Sequence, residues 1–350
     1  MKHPEREMKN LLVFAVSAAA FALAVRYAAQ AKEGLAAALS TCATVLVPSL
    51  FPMLVLSRFA AACPCPAALK KLLAGPLRAL FGLSPDCAAP LLLGLTGGYP
   101  LAAKSADAAK EAGLITQEDV RRLTLFFTCP GLPFAVVAAG SGFFHSRPVG
   151  YTLFASCALA DLAVAALYHR FAPKPPRPAV LQRQQNAPPV ADRLVAAVEG
   201  AVQAMLSICA WIGAFYALLR VVGALTGNAL DVFLTPVAEV TSALEEAAAR
   251  KNLPLTAACL AFGGLCVWCQ LLPEIRKNGV GSARYLAVRT LCAGLACGME
   301  TALLRLLAVP VPTETRIGGV YISANSAAGA AGLLLLCAVF MAETARRQEA

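Results

Sequence analysis

The stretch GLTGGYPLAAK, residues 94–104, decides the fold, because it is largely apolar yet contains three glycines and a proline. It lies in an apolar run, residues 87–103, that is barely long enough to cross a bilayer, for which a helix needs about 20 residues. Backbone groups freed by a helix break are tolerated at membrane depth only where protein buries them or where they line a cavity. The stretch therefore predicts a broken or re-entrant helix at a functional site.

The composition indicates which class of protein contains this stretch. Hydrophobic residues make up 59% of the 350 residues and charged residues 14%, whereas soluble proteins have roughly 45–50% and 25%. This excludes a soluble domain, a disordered chain and a small disulfide scaffold. The lysines and arginines behind the net charge of +10 are spread between apolar runs. That distribution is typical of topology signals and argues against nucleic-acid binding.

We predict an all-α polytopic membrane protein with about eight or nine membrane segments. Pro48 and Pro52 are expected to break one of the apolar runs. Amphipathic residues 67–83 and 231–250 are expected to lie in the interface or on the protein, because they are too charged or too short to span. Besides residues 87–103, the apolar runs are 11–25, 34–58, 123–144, 149–168, 194–225, 253–272, 285–309 and 317–341.

The runs group into two halves. We expect an uncleaved anchor helix in residues 1–33, a first repeat in 34–171, a Pro-rich polar linker in 172–193 and a second repeat in 194–345.

The distribution of lysine and arginine among the loops indicates whether residues 87–103 cross the membrane or form a re-entrant segment. In a re-entrant arrangement the N-terminus and the loops at 58–85, 104–122 and 170–193 share one face. These carry 3, 4, 4 and 5 Lys or Arg, whereas the loops at 31–33 and 143–149 carry one each. The positive-inside rule therefore favours re-entry.

The two halves also show a pattern at a constant offset of 166 residues. Gly97-Gly98 is followed by Lys104 and Gly113, and Gly263-Gly264 is followed by Gln270 and Gly279. We interpret this as a duplication. With one re-entrant segment each half crosses an odd number of times, so the copies would be inverted, as in many secondary transporters with broken helices at the midplane.

These breaks predict a cargo site. Lys104 is a candidate partner for a cargo carboxylate, or an interfacial lysine that snorkels to water. Asp161 and Glu300 are candidate coupling groups because buried carboxylates in membrane segments are costly, and Asp161 alternatively pairs with an arginine for structure. No catalytic motif or group of metal ligands stands out, and we predict a non-enzyme without a cofactor or a metal. The candidate substrate-binding residues are Gly97, Gly98, Tyr99, Pro100, Lys104, Thr128, Gly263, Gly264 and Gln270.

The sequence resembles a known family. Residues 48–57 (PSLFPMLVLS), 94–104 and 113–119 (GLITQED) are similar to the sporulation integral membrane proteins of the YlbJ type, in the nucleoside-recognition (Gate-domain) superfamily. Residues 130–134 (PGLPF), 140–144 (GSGFF) and 263–270 (GGLCVWCQ) extend the resemblance to about residues 35–310. One departure is Phe127-Thr128-Cys129-Pro130, where the family usually has polar, often Asn-containing residues, so only Thr128 is carried over as a polar contact.

The resemblance implies a permease-like protein in the cell membrane or forespore membrane of an endospore-forming bacterium. Its implied cargo is a small organic anion, with dipicolinic acid as the favoured candidate. The implied partners are the lipid bilayer and that anion, with a homo-oligomer or other spore membrane proteins as further partners. The alternatives are a non-transporting spore-envelope assembly protein and a nucleoside permease.

Overall fold

A computed structural model describes residues 3–63, 65–171 and 189–307 of the chain, and these are helical with no strand among them. Most of the predicted linker and the whole predicted run 317–341 lie outside the described residues. The helices are α1 His3–Arg26, α2 Ala28–Thr41, α3 Val47–Ala61, α4 Ala67–Pro76, α5 Ala88–Gly97, α6 Tyr99–Glu111, α7 Gln117–Phe126, the π-helix Pro133–Phe143, α8 Arg147–Phe171, α9 Val190–Thr226, α10 Asp231–Ala238, α11 Val240–Ala249, α12 Leu253–Phe262, α13 Gly264–Lys277 and α14 Ser282–Leu307.

Six helical segments among the described residues are long and apolar enough to cross a membrane, or seven if one bent pair counts as a span. The protein is therefore a polytopic α-helical membrane protein. The six are Glu7–Arg26, Ala28–Ala61, Arg147–Phe171, Val190–Thr226, Leu253–Lys277 and Ser282–Leu307.

The prolines of the second span do not break it. Pro48 and Pro52 lie within a continuous helical segment, Ala28–Ala61, in which the turn Cys42–Leu46 widens to a π-helix. A proline cannot donate to the carbonyl one turn earlier, and a π turn is one way for a helix to absorb such a defect. The Ser49 hydroxyl donates to the Val45 carbonyl at 2.6 Å. The expected helix breaks at these two prolines were therefore wrong.

Residues 85–111 form a helical hairpin, which we call the first hairpin, with α5 folded back on α6 at Gly98. A Cβ on Gly94 would lie 2.6 Å from the Ala102 Cβ, whereas eight residues of continuous helix would separate them by about 12 Å. Gly98 has φ +92° and ψ −177°, which favours glycine. The chain thus enters and leaves at the same end of the bundle, as the re-entrant alternative predicts.

That end, which we call the basic end, is defined by contacts among loops that are distant in sequence. The Ser84 amide donates to Asp119, and the Arg122 guanidinium lies 3.3 Å from the ring nitrogen of His169. The Gln117 side-chain amide donates to the Asn278 carbonyl at 2.9 Å, which brings in the loop after α13. The loops around 84, 119 and 169 therefore share one face, in agreement with the predicted sidedness.

Residues 231–249 form a second hairpin, α10 and α11, with its tip at Glu239. It follows α9, whose first turn lies at the basic end beside Cys63, and it leads into α12, which starts at the opposite end. Both of its ends therefore join the opposite end of the bundle. Five residues of α11 are buried. The sequence placed residues 231–250 in the interface or on the protein, and the structure places α11 against the protein with half of its residues buried.

Two spans are broken beside the hairpin tips. One consists of α7 and the short apolar π-helix Pro133–Phe143, separated by the non-helical residues 127–131; it is not among the six long apolar segments, but it leads from the basic end to the start of α8. The other consists of α12 and α13, separated at Gly263 with φ +80°. The Tyr99 hydroxyl donates to the Leu260 carbonyl, and Lys277 forms an ion pair with Asp107, so α6 and α13 run side by side in the same direction.

The structure bears on the sequence pattern in which the two halves were aligned at a constant offset of 166 residues. Gly98 is the tip of a hairpin that returns to its own end, whereas Gly263 is a break inside a span that continues across. The offset of 166 residues therefore pairs segments that have different positions in the fold.

The close approach of Gly131 to the first hairpin generates a stability prediction. A Cβ on Gly131 would lie 2.4 Å from the Gly98 nitrogen, so Gly131→Ala forces two backbone segments apart. We expect a loss of about 1–3 kcal/mol, the usual cost of overpacking. Thermal unfolding of the purified protein in detergent measures it.

The matched control is Gly294→Ala on α14, because a Cβ there has no neighbour within 4 Å. This control should leave the melting temperature unchanged or raise it, since alanine is the better helix former. An equal loss in both variants would contradict the packing of Gly131 on Gly98.

Candidate functional site

The tips of the two hairpins meet at one cavity. The volume open to the centre of a water molecule is about 70 Å³, room for several waters at roughly 10–15 Å³ each. The first tip, the second tip, the two broken spans and the spans α3 and α9 all contribute to its wall. The lining residues are Leu50, Met53, Leu54, Gly97, Gly98, Tyr99, Gly131, Pro133, Phe134, Ile208, Ile212, Glu239, Val240, Thr241, Cys266, Val267 and Gln270.

Glycines bring these backbones together. Gly131 contacts Gly98 so closely that neither could carry a larger side chain without a shift. Gly264, with φ +77°, lies against the Ala238 carbonyl and the Glu239 amide. Each hairpin tip is thus held against the break of one span, and side-chain-free positions at the contacts make the approach possible.

Glu239 is the one charged residue among the described residues that line the cavity. Its residue is fully buried, and its Oε2 accepts hydrogen bonds from the Ser242 amide at 2.7 Å and the Ser242 hydroxyl at 2.9 Å. Its Oε1 and the Thr241 hydroxyl lie near each other, but neither forms a hydrogen bond of normal geometry within the described chain. Buried polar atoms are almost always satisfied, so these two are candidate contacts for a cargo.

Tyr99 joins the first tip to the second broken span. Its hydroxyl donates to the Leu260 carbonyl, and its ring packs on Gly263. The Gln270 side chain lies on the same wall, with its amide nitrogen 3.4 Å from the Cys266 sulfur. Gln270 therefore has further hydrogen-bonding capacity available to a cargo.

Four helices begin at this cavity. They are α6 at Tyr99, α11 at Val240, α13 at Gly264 and the π-helix at Pro133, and each contributes residues to the wall. A helix N-terminus carries partial positive charge and, except where proline removes it, free N–H groups. The helices α5, α10 and α12 end at the same breaks, at Gly97, Ala238 and Phe262, so free carbonyls lie near these N–H groups. No lysine or arginine occurs among the described residues that line the cavity.

Behind the cavity lies a buried ion pair. Arg289 on α14 donates from Nη2 to Asp161 Oδ1 at 2.9 Å and from Nη1 to Asp161 Oδ2 at 3.3 Å, and both residues are about 1% exposed or less. The guanidinium also donates to the carbonyls of Thr128 at 2.9 Å and Phe126 at 3.3 Å. It therefore holds the unwound backbone between α7 and the π-helix. For Asp161, the structure shows the pairing with arginine that the sequence left open.

The structure places two predicted contacts outside the cavity. Lys104 is exposed on α6 because it falls on the helix face turned away from the cavity. The Thr128 hydroxyl pairs with the Tyr285 hydroxyl at 3.1 Å, behind the tip. Neither Lys104 nor Thr128 lines this cavity, and their roles as cargo contacts stay predictions.

Glu300 is also remote from the cavity. It is fully buried and accepts a hydrogen bond from the Thr152 hydroxyl at 2.8 Å, between α14 and α8. Of the other predicted residues, Gly97, Gly98, Tyr99 and Gln270 line the cavity, and Gly263 and Gly264 support it through Tyr99 and the second tip. For Pro100, only its place in the first turn of α6 is described.

Sequence reasoning missed Glu239 and Thr241. They lie in a segment, PVAEVTS, that was assigned to the surface because of its length and charge. The sequence carries no strong signal for them, because glutamate is not among the preferred N-cap residues and no glycine marks this break.

Comparison with protein-family models, with curated proteins and with solved structures finds no match.

The ion pair generates a prediction about stability. Asp161→Asn leaves a buried guanidinium without its counter-charge, for which we expect a loss of about 3–5 kcal/mol. The double variant Asp161→Asn, Arg289→Met removes both charges and should lose less than the sum of the two single variants. Thermal unfolding of all three variants measures the coupling.

The exposed pair of Arg250 and Glu246 provides the control. Glu246→Gln should cost no more than about 1 kcal/mol, as is typical of surface ion pairs. Additive losses for Asp161 and Arg289 would show that they do not act as a pair.

Proposed function

We propose that this protein is a membrane permease for a small organic anion. The observation that carries the proposal is the convergence of four helix N-termini on one partly open cavity between two hairpin tips. Half-helix N-termini near the membrane midplane recognise anionic groups in secondary transporters. Dipicolinic acid, the cargo implied by the resemblance to the YlbJ type, is our candidate substrate, and spore formation is the proposed setting.

The proposal includes an inverted relation between the two halves. Each half supplies a hairpin, a broken span and a continuous span in that order, and the two hairpins join opposite ends of the bundle. Gly98 and Glu239 are then equivalent tips, and α8 and α14 are equivalent spans. Such a pair of halves can expose a fixed central site alternately to the two sides by rocking.

Glu239 replaces Asp161 and Glu300 as the proposed coupling group. Asp161 is neutralised by Arg289, and Glu300 does not reach the cavity. An ionised Glu239 would repel an anion in the same small cavity, whereas a protonated Glu239 can donate a hydrogen bond to a cargo carboxylate. The cargo and one proton would therefore cross together, with the proton carried on the Glu239 carboxyl.

The test is uptake of labelled dipicolinate into proteoliposomes of the purified protein, with empty liposomes as the blank. A proton gradient directed inward should accelerate uptake by the wild type. Glu239→Gln keeps the size and a hydrogen-bond donor but cannot carry a proton, so it should bind cargo and lose the acceleration. Equal acceleration in Glu239→Gln and the wild type would contradict this role.

Glu246→Gln is the matched control, because Glu246 lies on the same helix outside the cavity and pairs with Arg250. It should retain the response to the gradient.

A second comparison tests Gln270 and Lys104, the two polar side chains that the sequence predicted as cargo contacts. Gln270→Ala should lower uptake roughly tenfold, since a hydrogen bond to a charged group contributes about 1.5–3 kcal/mol. Lys104→Ala should leave uptake unchanged because Lys104 lies outside the cavity. The reverse result would show that the anion binds along α6 instead of at the cavity.

A nucleoside permease is the second candidate. The observation in its favour is that the described lining contains hydrogen-bonding side chains but no lysine or arginine, which suits an uncharged polar cargo. Labelled nucleoside in a parallel assay separates the candidates. Saturable nucleoside uptake without dipicolinate uptake would replace the anion proposal.

A further inference from the structure

A second, polar cavity lies at the basic end of the bundle, away from the site between the hairpin tips. The volume open to a water centre is about 110 Å³. Its wall comes from α7, the end of α8 and the loop that leads from α13 into α14. The residues that define it are Glu118, Arg121, Arg122, Tyr168, Gly279 and Arg284.

Arg122 forms the fixed wall of this cavity. Its side chain is only 4% exposed and donates to Glu118 Oε1 at 3.1 Å and to the Phe81 carbonyl at 3.0 Å. Its guanidinium carbon lies 5.7 Å from the centre of the Tyr168 ring. Arg122 and Tyr168 therefore hold each other in place at the membrane boundary.

Arg121 and Arg284 are the open cationic groups. Arg121 lies across Gly279, where a Cβ would be 3.1 Å from its Nε, and its ion pair with Glu118 is long, at 3.9 Å. Arg284 is exposed in the first turn of α14 and forms no ion pair with any described residue. Three guanidinium groups thus face one cavity against a single carboxylate, Glu118, which leaves a lining charge of +2.

We propose that this cavity binds a phosphate group at the membrane surface, in the first place the headgroup of an anionic phospholipid. The planar guanidinium fork matches phosphate oxygens in a bidentate geometry. Basic pockets between transmembrane helices at a membrane boundary are suited to anionic headgroups. Free inorganic phosphate shares this chemistry and is the other possible source.

The experiment measures the melting temperature of the full-length protein in an uncharged detergent. Phosphatidylglycerol, phosphatidylcholine and inorganic phosphate are titrated separately. Phosphatidylglycerol should raise the melting temperature, whereas phosphatidylcholine should not. The double variant Arg121→Gln, Arg284→Gln should need roughly thirtyfold more phosphatidylglycerol, since each basic residue at an anionic surface contributes about fivefold in affinity.

The matched control is Arg147→Gln, Arg220→Gln, which removes the same charge from exposed residues at the opposite end. It should respond to phosphatidylglycerol like the wild type. A response to inorganic phosphate that the first double variant also loses would assign the cavity to a soluble phosphate. An equal loss in both double variants, or no response to any phosphate, would overturn the proposal. Arg121 and Arg284 are exposed, so both double variants should fold.

Discussion

The structure depends on one constraint, which is that helices broken at membrane depth must find partners for the backbone groups that the breaks expose. Here the breaks are placed beside one another. Gly98 lies against Gly131, and Gly264 lies against the carbonyl of Ala238. The unwound carbonyls of Phe126 and Thr128 are bound by Arg289, whose charge is balanced by Asp161. The breaks and the ion pair therefore form a single arrangement.

The same constraint explains where a site can form. Free N–H groups at the starts of α6, α11 and α13 cannot be satisfied by lipid, and only a polar group from the protein or from a cargo can meet them. The Glu239 carboxylate satisfies part of this need at α11, where it accepts two hydrogen bonds from Ser242. Apart from Tyr99, Thr241 and Gln270, the other described side chains of the cavity wall are apolar, which keeps the helix dipoles poorly screened.

The fold class could be predicted from sequence because it depends on composition and run length. The fold-back at Gly98 could also be predicted, since run length, glycine content and loop charge point the same way. The alignment of the first half with the second could not be predicted from sequence, because a Gly-Gly pair occurs equally well at a hairpin tip and at a break in a span. Only the packing of Gly94 on Ala102 separates the two cases.

The cavity residues were predicted in part for a related reason. Gly97, Gly98, Tyr99 and Gln270 adjoin breaks that glycine marks. The break at Glu239 has no glycine, and its carboxylate is recognisable only when the N-cap bonds to Ser242 are seen. Lys104 is six residues beyond the tip at Gly98, and the helix face on which it falls depends on how α6 packs against α13.

The most direct measurement is labelling of native lysines with a membrane-impermeant amine reagent in sealed vesicles of known orientation. Lys110 lies in the last turn of the first hairpin and Lys251 follows the second, and both are exposed. If the hairpins enter from opposite sides, Lys110 is modified only from one side and Lys251 only from the other, with Lys32 on the side of Lys251. Modification of Lys110 and Lys251 from the same side would contradict the meeting of two oppositely inserted hairpins at a shared site.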